Sequence, residues 1–277
     1  MIRIVEVGPR DGLQNEARFV PSDVKIAFVD ALSECGFPEI EVSSFVRPEW
    51  VPQLADAEAV FEGITRKPGV SYMALVPNEA GLERAQAARA DKVAVFTAAS
   101  ETFSRKNSNA SIAQSIERFR PVLARAGRPV RGYVSTAFHC PYEGPIAPER
   151  VLPVAQALLD LGCDELSLGD TIGKATPEQV RRLLERLLPV CPVGRLALHF
   201  HDTFGQAVQN ARAGLAMGVT SFDASAGGIG GCPFAPGAPG NVATEALLAA
   251  FGGQTGVDPE RVAVASAIVR PYLTSHQ

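Results

Sequence analysis

Eight short runs rich in β-branched residues punctuate this chain from end to end, separated by segments with helical apolar spacing, and that alternation leaves few folds open. The runs fall at 2–8, 39–45, 71–77, 92–97, 130–137, 165–169, 195–201 and 221–225. Helical spacing marks 22–35, 112–126, 148–161, 177–188, 206–217 and 242–251. Onsets recur at roughly the thirty-residue interval of a βαβ unit. Several runs are apolar on both faces, as parallel strands covered by helices should be. Eight such pairs in 277 residues, close to the roughly 250 of a typical (β/α)8 barrel, predict one barrel domain over 1–277. An open doubly wound sheet is the alternative. No GxGxxG follows the first run, however, and polar residues gather at the ends of many different runs. Ser22 and Thr176 stand where N-caps belong, the second followed by Pro177. The stretch 227–241, GGIGGCPFAPGAPGN, is too rich in Gly and Pro for helix or strand and is expected to be an active-site loop.

Composition closes off several function classes. Apolar residues at 46% and charged ones at 20% supply an ordinary globular core. A net charge of −4 without a long basic run excludes a nucleic-acid binder, which needs a row of cations against phosphates. No apolar stretch reaches the roughly 18 residues of a membrane span, and the first run begins at Ile2, which leaves no room for a leader. The five cysteines are scattered and lack CxxC spacing, which fits a reducing cytoplasm.

The strongest chemical signal is His199-Phe200-His201 near the end of the seventh run, because residues two apart on a strand face one side. The two imidazoles can share a metal; a pair of core or rim histidines is the plain alternative. Asp11 follows the first run in Gly8-Pro9-Arg10-Asp11-Gly12, a turn that would place it at the barrel's C-terminal mouth. Asn241 closes the Gly/Pro stretch after the eighth run and would neighbour the first strand once a barrel closes. Each of these two, taken singly, reads as a turn residue. Two imidazoles, a carboxylate and an amide oxygen without a thiolate pair favour Mg²⁺ or Mn²⁺, with Zn²⁺, Co²⁺ and Fe²⁺ also accommodated.

A long opening segment, Val5-Glu6-Val7-Gly8-Pro9-Arg10-Asp11-Gly12-Leu13-Gln14-Asn15-Glu16, resembles the signature of the 3-hydroxy-3-methylglutaryl-CoA lyase family. Also similar to that family are Ser43-Ser44-Phe45-Val46, Ala99-Ser100-Glu101, Arg131-Gly132-Tyr133-Val134-Ser135, Cys140-Pro141-Tyr142-Glu143-Gly144, Ser167-Leu168-Gly169-Asp170-Thr171 and Gly230-Gly231-Cys232-Pro233, whereas His139 stands where a small residue is expected. The resemblance runs from residue 2 to about 250. The Arg-Asp pair and HxH belong to a wider superfamily of metal-dependent lyases and Claisen-condensing synthases; the opening segment and the Cys232 loop are more specific.

The resemblance implies cleavage of 3-hydroxy-3-methylglutaryl-CoA to acetyl-CoA and acetoacetate by a homodimer carrying Mg²⁺ or Mn²⁺ on Asp11, His199, His201 and Asn241. It implies that Arg10 donates to the thioester oxygen, His199 or alternatively Asp11 moves the hydroxyl proton, Cys232 protonates the enolate carbon, and Glu41 and Asp170 support them. Gln14 and Thr171 would contact the acyl group. Ser104, Arg105, Lys106 and Asn107, just beyond the fourth run, form the nearest basic cluster for coenzyme A phosphates, with a solvated loop as the alternative. For Arg10 a buried ion pair with Glu41 is compatible with the catalytic reading; a lone turn cysteine such as Cys232 is usually inert outside this context. Three readings compete: a lyase for a longer 3-hydroxyglutaryl-CoA, a synthase joining acetyl-CoA to a 2-oxo acid, and a non-catalytic coenzyme A binder. The chain has no segment for the regulatory domain such synthases often carry, and a non-catalytic protein would have no need of Arg10, Cys232 and all four ligands together.

Overall fold

A computed structural model gives the structure of residues 1–232 and 235–274; the side chains of residues 232 and 235–238 lie outside what it describes. Eight parallel strands, β1 (Arg3–Glu6), β2 (Glu39–Ser44), β3 (Ser71–Leu75), β4 (Lys92–Ala98), β5 (Val130–Ser135), β6 (Glu165–Asp170), β7 (Leu196–Phe200) and β8 (Ser221–Ala224), close into a barrel in chain order. Closure is made by β1 against β8, in the register Arg3↔Ser221 to Glu6↔Ala224. All eight expected runs are strands of this (β/α)8 barrel, shortened mostly by one or two residues at their ends.

The helices are α1 (Ser22–Ser33), α2 (Ala57–Gly63), α3 (Glu79–Ala87), α4 (Glu101–Ser108), α5 (Ile112–Arg125), α6 (Pro148–Leu161), α7 (Pro177–Leu187), α8 (Ala207–Ala216), α9 (Thr244–Phe251) and α10 (Pro259–Val269). They bury their apolar faces on the outer side of the strands, and this shell is the main core. Thr176 caps α7 as expected, in a reciprocal box with Gln179. Ser22 does not cap α1: it is the first helical residue, behind Pro21, and its hydroxyl donates to Asp56 Oδ2 at 2.7 Å instead.

Inside the barrel the expectation of strands apolar on both faces is only partly met. Val5, Val7, Met73, Leu75, Ala94 and Tyr133 form a small interior cluster, but charged side chains take the remaining places. Near the N-terminal end Lys92 Nζ lies 3.0 Å from Glu39 and 2.8 Å from Glu165, and Arg3 pairs with both acids. Burial, with Arg131 nearby, lowers the Lys92 ammonium to about 8. Above them Arg131, fully buried, reaches Glu165 Oε2 at 3.0 Å and Asp223 Oδ1 at 2.8 Å. Opposite charges interleaved in this way offset a desolvation cost of several kcal/mol per ion.

The Gly/Pro stretch also departs from expectation. It opens with a tight turn at Ala226–Gly228, in which Gly227 and Gly228 take positive φ, and then holds an antiparallel pair, Gly231–Cys232 with Ala235–Pro239. Short extended segments suit a proline-rich chain because proline fixes φ near the extended range and is tolerated in edge strands.

Candidate active site at the C-terminal mouth

The chain leaves β1 through one wide turn, Gly8–Gly12, in which the amides of Asp11 and Gly12 both donate to the Val7 carbonyl, at 2.8 and 3.1 Å. Such five-residue turns are common at functional sites. Glycine is required at Gly12 by space: a Cβ there would lie 2.9 Å from the Ile229 carbonyl. The turn points Arg10 and Asp11 inward at the level where β7 ends. There His199 and His201 share a face, their rings 5.3 Å apart. Beyond His201 the chain pairs with the return of the Gly/Pro stretch: Asp202 N donates to Gly240 O (2.7 Å), Val242 N donates to Phe200 O (3.0 Å), and His201 and Asn241 stand opposite each other. Backbone pairing thus delivers Asn241 to Asp11, and its Nδ2 donates to Asp11 Oδ2 at 3.0 Å.

Asp11 Oδ2 lies 3.8 Å from His199 Nε2 and 4.0 Å from His201 Nε2, and one donor atom from each of the three falls within 4.8 Å of the others. Burial alone would raise the Asp11 carboxyl; Arg10 and the two imidazoles reverse this and hold it well below the usual range. His201 is lowered to about 4 by burial and by His199, so it stays neutral, as a ligand must. For His199 burial works against the charged form, but Asp223 and Asp11 outweigh it and the net direction is up. Two buried polar atoms here, His201 Nδ1 and Asn241 Oδ1, have no hydrogen-bond partner among the described residues. A carboxylate, two imidazoles and an unused amide oxygen in one buried place fit a divalent cation.

Arg10 spans two acids. Its Nη1 lies 2.6 Å from Asp11 Oδ1 and its Nη2 2.8 Å from Glu41 Oε2, while its guanidinium stacks 5.5 Å from the Tyr133 ring. The Tyr133 hydroxyl donates to Glu41 Oε2 at 3.1 Å. Burial raises the Glu41 carboxyl, with Arg10 opposing. Asp170, at the end of β6, accepts from the amides of Lys174 (3.1 Å) and Ala175 (2.9 Å) and is raised by burial to about 7. It shapes the following turn, which carries Thr171, and makes no direct contact with the Asp11–His199–His201 group among the described interactions.

A cavity of about 470 Å³ opens over this group, lined by Arg10, Asp11, Gln14, Thr171, His199 and His201 on one side and by Trp50, Phe103, Asn107 and Arg118 further out. Of the basic cluster on α4, Asn107 alone lines it. Ser104 is buried and donates to the Ala110 carbonyl, Arg105 pairs with Glu101 along the helix, and Lys106 stacks over Tyr142. Arg118, on α5, is the cation on the cavity wall that the sequence did not single out; nothing in its local pattern distinguishes it from other exposed helical arginines. The Cys232 side chain lies outside the described residues, although Gly231 beside it reaches the cavity wall.

Glu6 ties the parts together. One oxygen accepts from the amides of Gly8 and Ala226 (2.8 and 2.9 Å), and the other accepts from the Thr244 hydroxyl (2.8 Å), so the Arg10–Asp11 turn and both ends of the Gly/Pro stretch share an anchor. Burial raises Glu6 to about 8 against these three hydrogen bonds. The folded state therefore binds a proton the unfolded chain has released, and stability falls as pH rises from the unfolded value near 4.5 to about 8. Glu6→Gln keeps an acceptor for the two amides and removes the titration. Denaturation from pH 5 to 8 is expected to show the wild type losing ground to this variant by up to roughly 1.4 kcal/mol per pH unit; parallel profiles would remove Glu6 as the cause.

Fold and site together define a barrel enzyme with a candidate divalent-metal site formed by side chains from the ends of β1 and β7, the position where barrels of this kind build active sites. The HMGL-like family profile matches residues 1–269, and the chain belongs to that family. It is 54% identical over 263 residues to the cytoplasmic 3-hydroxy-3-methylglutaryl-CoA lyase of Danio rerio, covering 93% of this chain and 78% of that protein. Against the mitochondrial hydroxymethylglutaryl-CoA lyase of Bos taurus the identity is 52% over 274 residues, covering 97% and 84%. The crystal structure of the HMG-CoA lyase from Brucella melitensis superposes with a TM-score of 0.95 at 51% identity and 98% coverage of both chains.

Proposed function

We propose that this protein cleaves 3-hydroxy-3-methylglutaryl-CoA to acetyl-CoA and acetoacetate, using Mg²⁺ or Mn²⁺ held by Asp11, His199, His201 and Asn241. The observation that carries the reading is the meeting of Asp11 with two imidazoles directly beside Arg10. Relatives named for this reaction, similar over nearly the whole chain, support it. When bound, the cation supplies Lewis-acid polarisation of the substrate hydroxyl, which lowers its pKa.

The remaining work falls to side chains. The hydroxyl proton passes to the lone pair of His199 Nε2, which then would not ligate the cation at the same moment, with the Asp11 carboxylate as the alternative acceptor, and the carbon–carbon bond breaks. Its electron pair moves into the thioester as an enolate while the hydroxyl carbon becomes the ketone of acetoacetate. Arg10, fixed by Glu41 and Tyr133, donates to the thioester oxygen as charge grows there. A proton from the Cys232 thiol then completes acetyl-CoA, with the 227–241 stretch covering the reacting centre. Gln14 and Thr171 face the acyl group, and Asn107 and Arg118 lie on the wall open to the coenzyme. The chain works as a homodimer, and the cytoplasm is the compartment its scattered cysteines suit.

Incubation with the thioester and Mn²⁺ is expected to release acetoacetate and acetyl-CoA in equal amounts. Consumption of acetyl-CoA with a 2-oxo acid, without cleavage, would replace this reading by a synthase. A kcat/KM favouring a longer, isohexenyl-branched thioester would move the substrate assignment to that compound.

A further inference from the structure

We propose that Asp223 is a positioning residue that sets the tautomer of His199, holding the proton on Nδ1 so that the Nε2 lone pair faces Asp11. The inference rests on the use of His199 proposed above. Asp223 is fully buried on β8, and its two oxygens have different neighbours. Oδ1 lies 2.8 Å from Arg131 Nη2. Oδ2 accepts from the Ser167 hydroxyl at 2.9 Å and lies 3.3 Å from His199 Nδ1.

A carboxylate beside an arginine can only accept, so Nδ1 must carry the proton and Nε2 must present a lone pair. Arg131 is itself fastened by Glu165, at 3.0 Å, so the orientation of Asp223 derives from the charged column that fills the barrel. The other charged or ionisable neighbours of His199 are Asp11 on its Nε2 side, His201 at a ring separation of 5.3 Å, Arg10 beyond Asp11, and Asp170, whose oxygens accept from the Lys174 and Ala175 amides. None of them offers Nδ1 an acceptor.

Asp223→Asn makes the argument decisive because it is isosteric yet has a direction. Arg131 has donors only, so the new amide turns its carbonyl towards Arg131 and its NH₂ towards His199 Nδ1. The proton is then driven to Nε2, the atom that must stay open. The same substitution behind a catalytic histidine elsewhere leaves geometry intact and lowers kcat by about 10⁴-fold through the wrong tautomer.

The chain has four histidines, so ¹⁵N spectra of histidine-labelled protein are readily assigned. After chelation and at about pH 9, where an ordinary imidazole is neutral, wild-type His199 is expected as the Nδ1–H form and Asp223→Asn as the Nε2–H form. Mn²⁺ titrated into the folded variant, followed by electron paramagnetic resonance, is expected to bind about 10–100-fold more weakly. An Nε2–H signal in the wild type, which needs no variant to fold, would overturn the inference, as would unchanged Mn²⁺ affinity in a folded Asp223→Asn. Failure of the wild type to bind Mn²⁺ at all would instead strike the proposed function and leave the tautomer reading standing.

Discussion

Arg10→Ala is expected to lower kcat by roughly 10²–10³-fold or more, the usual loss when a donor to a developing oxyanion is removed, with weaker effects on Mn²⁺ binding. The expectation follows from how Arg10 is held. Its guanidinium is buried, braced by Glu41 at 2.8 Å and Asp11 at 2.6 Å and stacked on Tyr133, so it stands ready before charge appears on the substrate. Removing it strands Glu41, for which a buried pair broken on one side costs about 3–5 kcal/mol. Glu41, already raised by burial, can limit that cost by taking a proton. A thermal melt must therefore accompany the kinetics. Arg10→Lys keeps the charge but loses the planar fork, and is expected to recover stability more than turnover. Near-normal rates in a folded Arg10→Ala would remove Arg10 from the chemistry.

Asp11→Asn is expected to weaken Mn²⁺ binding by more than the roughly 10–100-fold caused by losing an outer partner, because it deletes the one anionic ligand of the cluster. Activity should fall with it and return in part at high Mn²⁺. Two further contacts change. Arg10 loses a charged partner at 2.6 Å, and the Asn241 amide loses the carboxylate that receives it at 3.0 Å. Calorimetry separates the effects, since a purely structural role for Asp11 would leave affinity intact while lowering stability. Unaltered Mn²⁺ affinity in the folded variant would place the cation elsewhere.

The strands were legible because covered parallel strands need continuous apolar, β-branched runs, and each such run in this chain became a barrel strand. Asp11 and the two histidines were legible because a strand-end turn and a two-residue period both constrain where side chains go. The charged interior was not. Glu39 with Glu41, Arg131 with Tyr133, and Glu165 with Ser167 are each two apart and so share a face, yet a charge on a strand ordinarily signals solvent. Only the closed barrel shows that these faces look at one another and pair. That period-two signal would have found Asp223's partners had the interior been considered polar. The α4 cluster erred the other way: its residues have the right chemistry, but a helix distributes Ser104 to Asn107 around its circumference, so one of the four reaches the cavity. Ser22 misled because proline before it already sets the helical entry.

Closure of the barrel by its first and last strands has a bearing on how the protein is made. Asp11 emerges from the ribosome early, whereas His199 and His201 come nearly two hundred residues later and Asn241 later still, and β1 has only β2 to pair with until β8 arrives. A nascent chain ending before Ser221 therefore lacks the strand that seals the barrel, and one ending before Asn241 lacks the last of the four proposed ligands even when all eight strands are present.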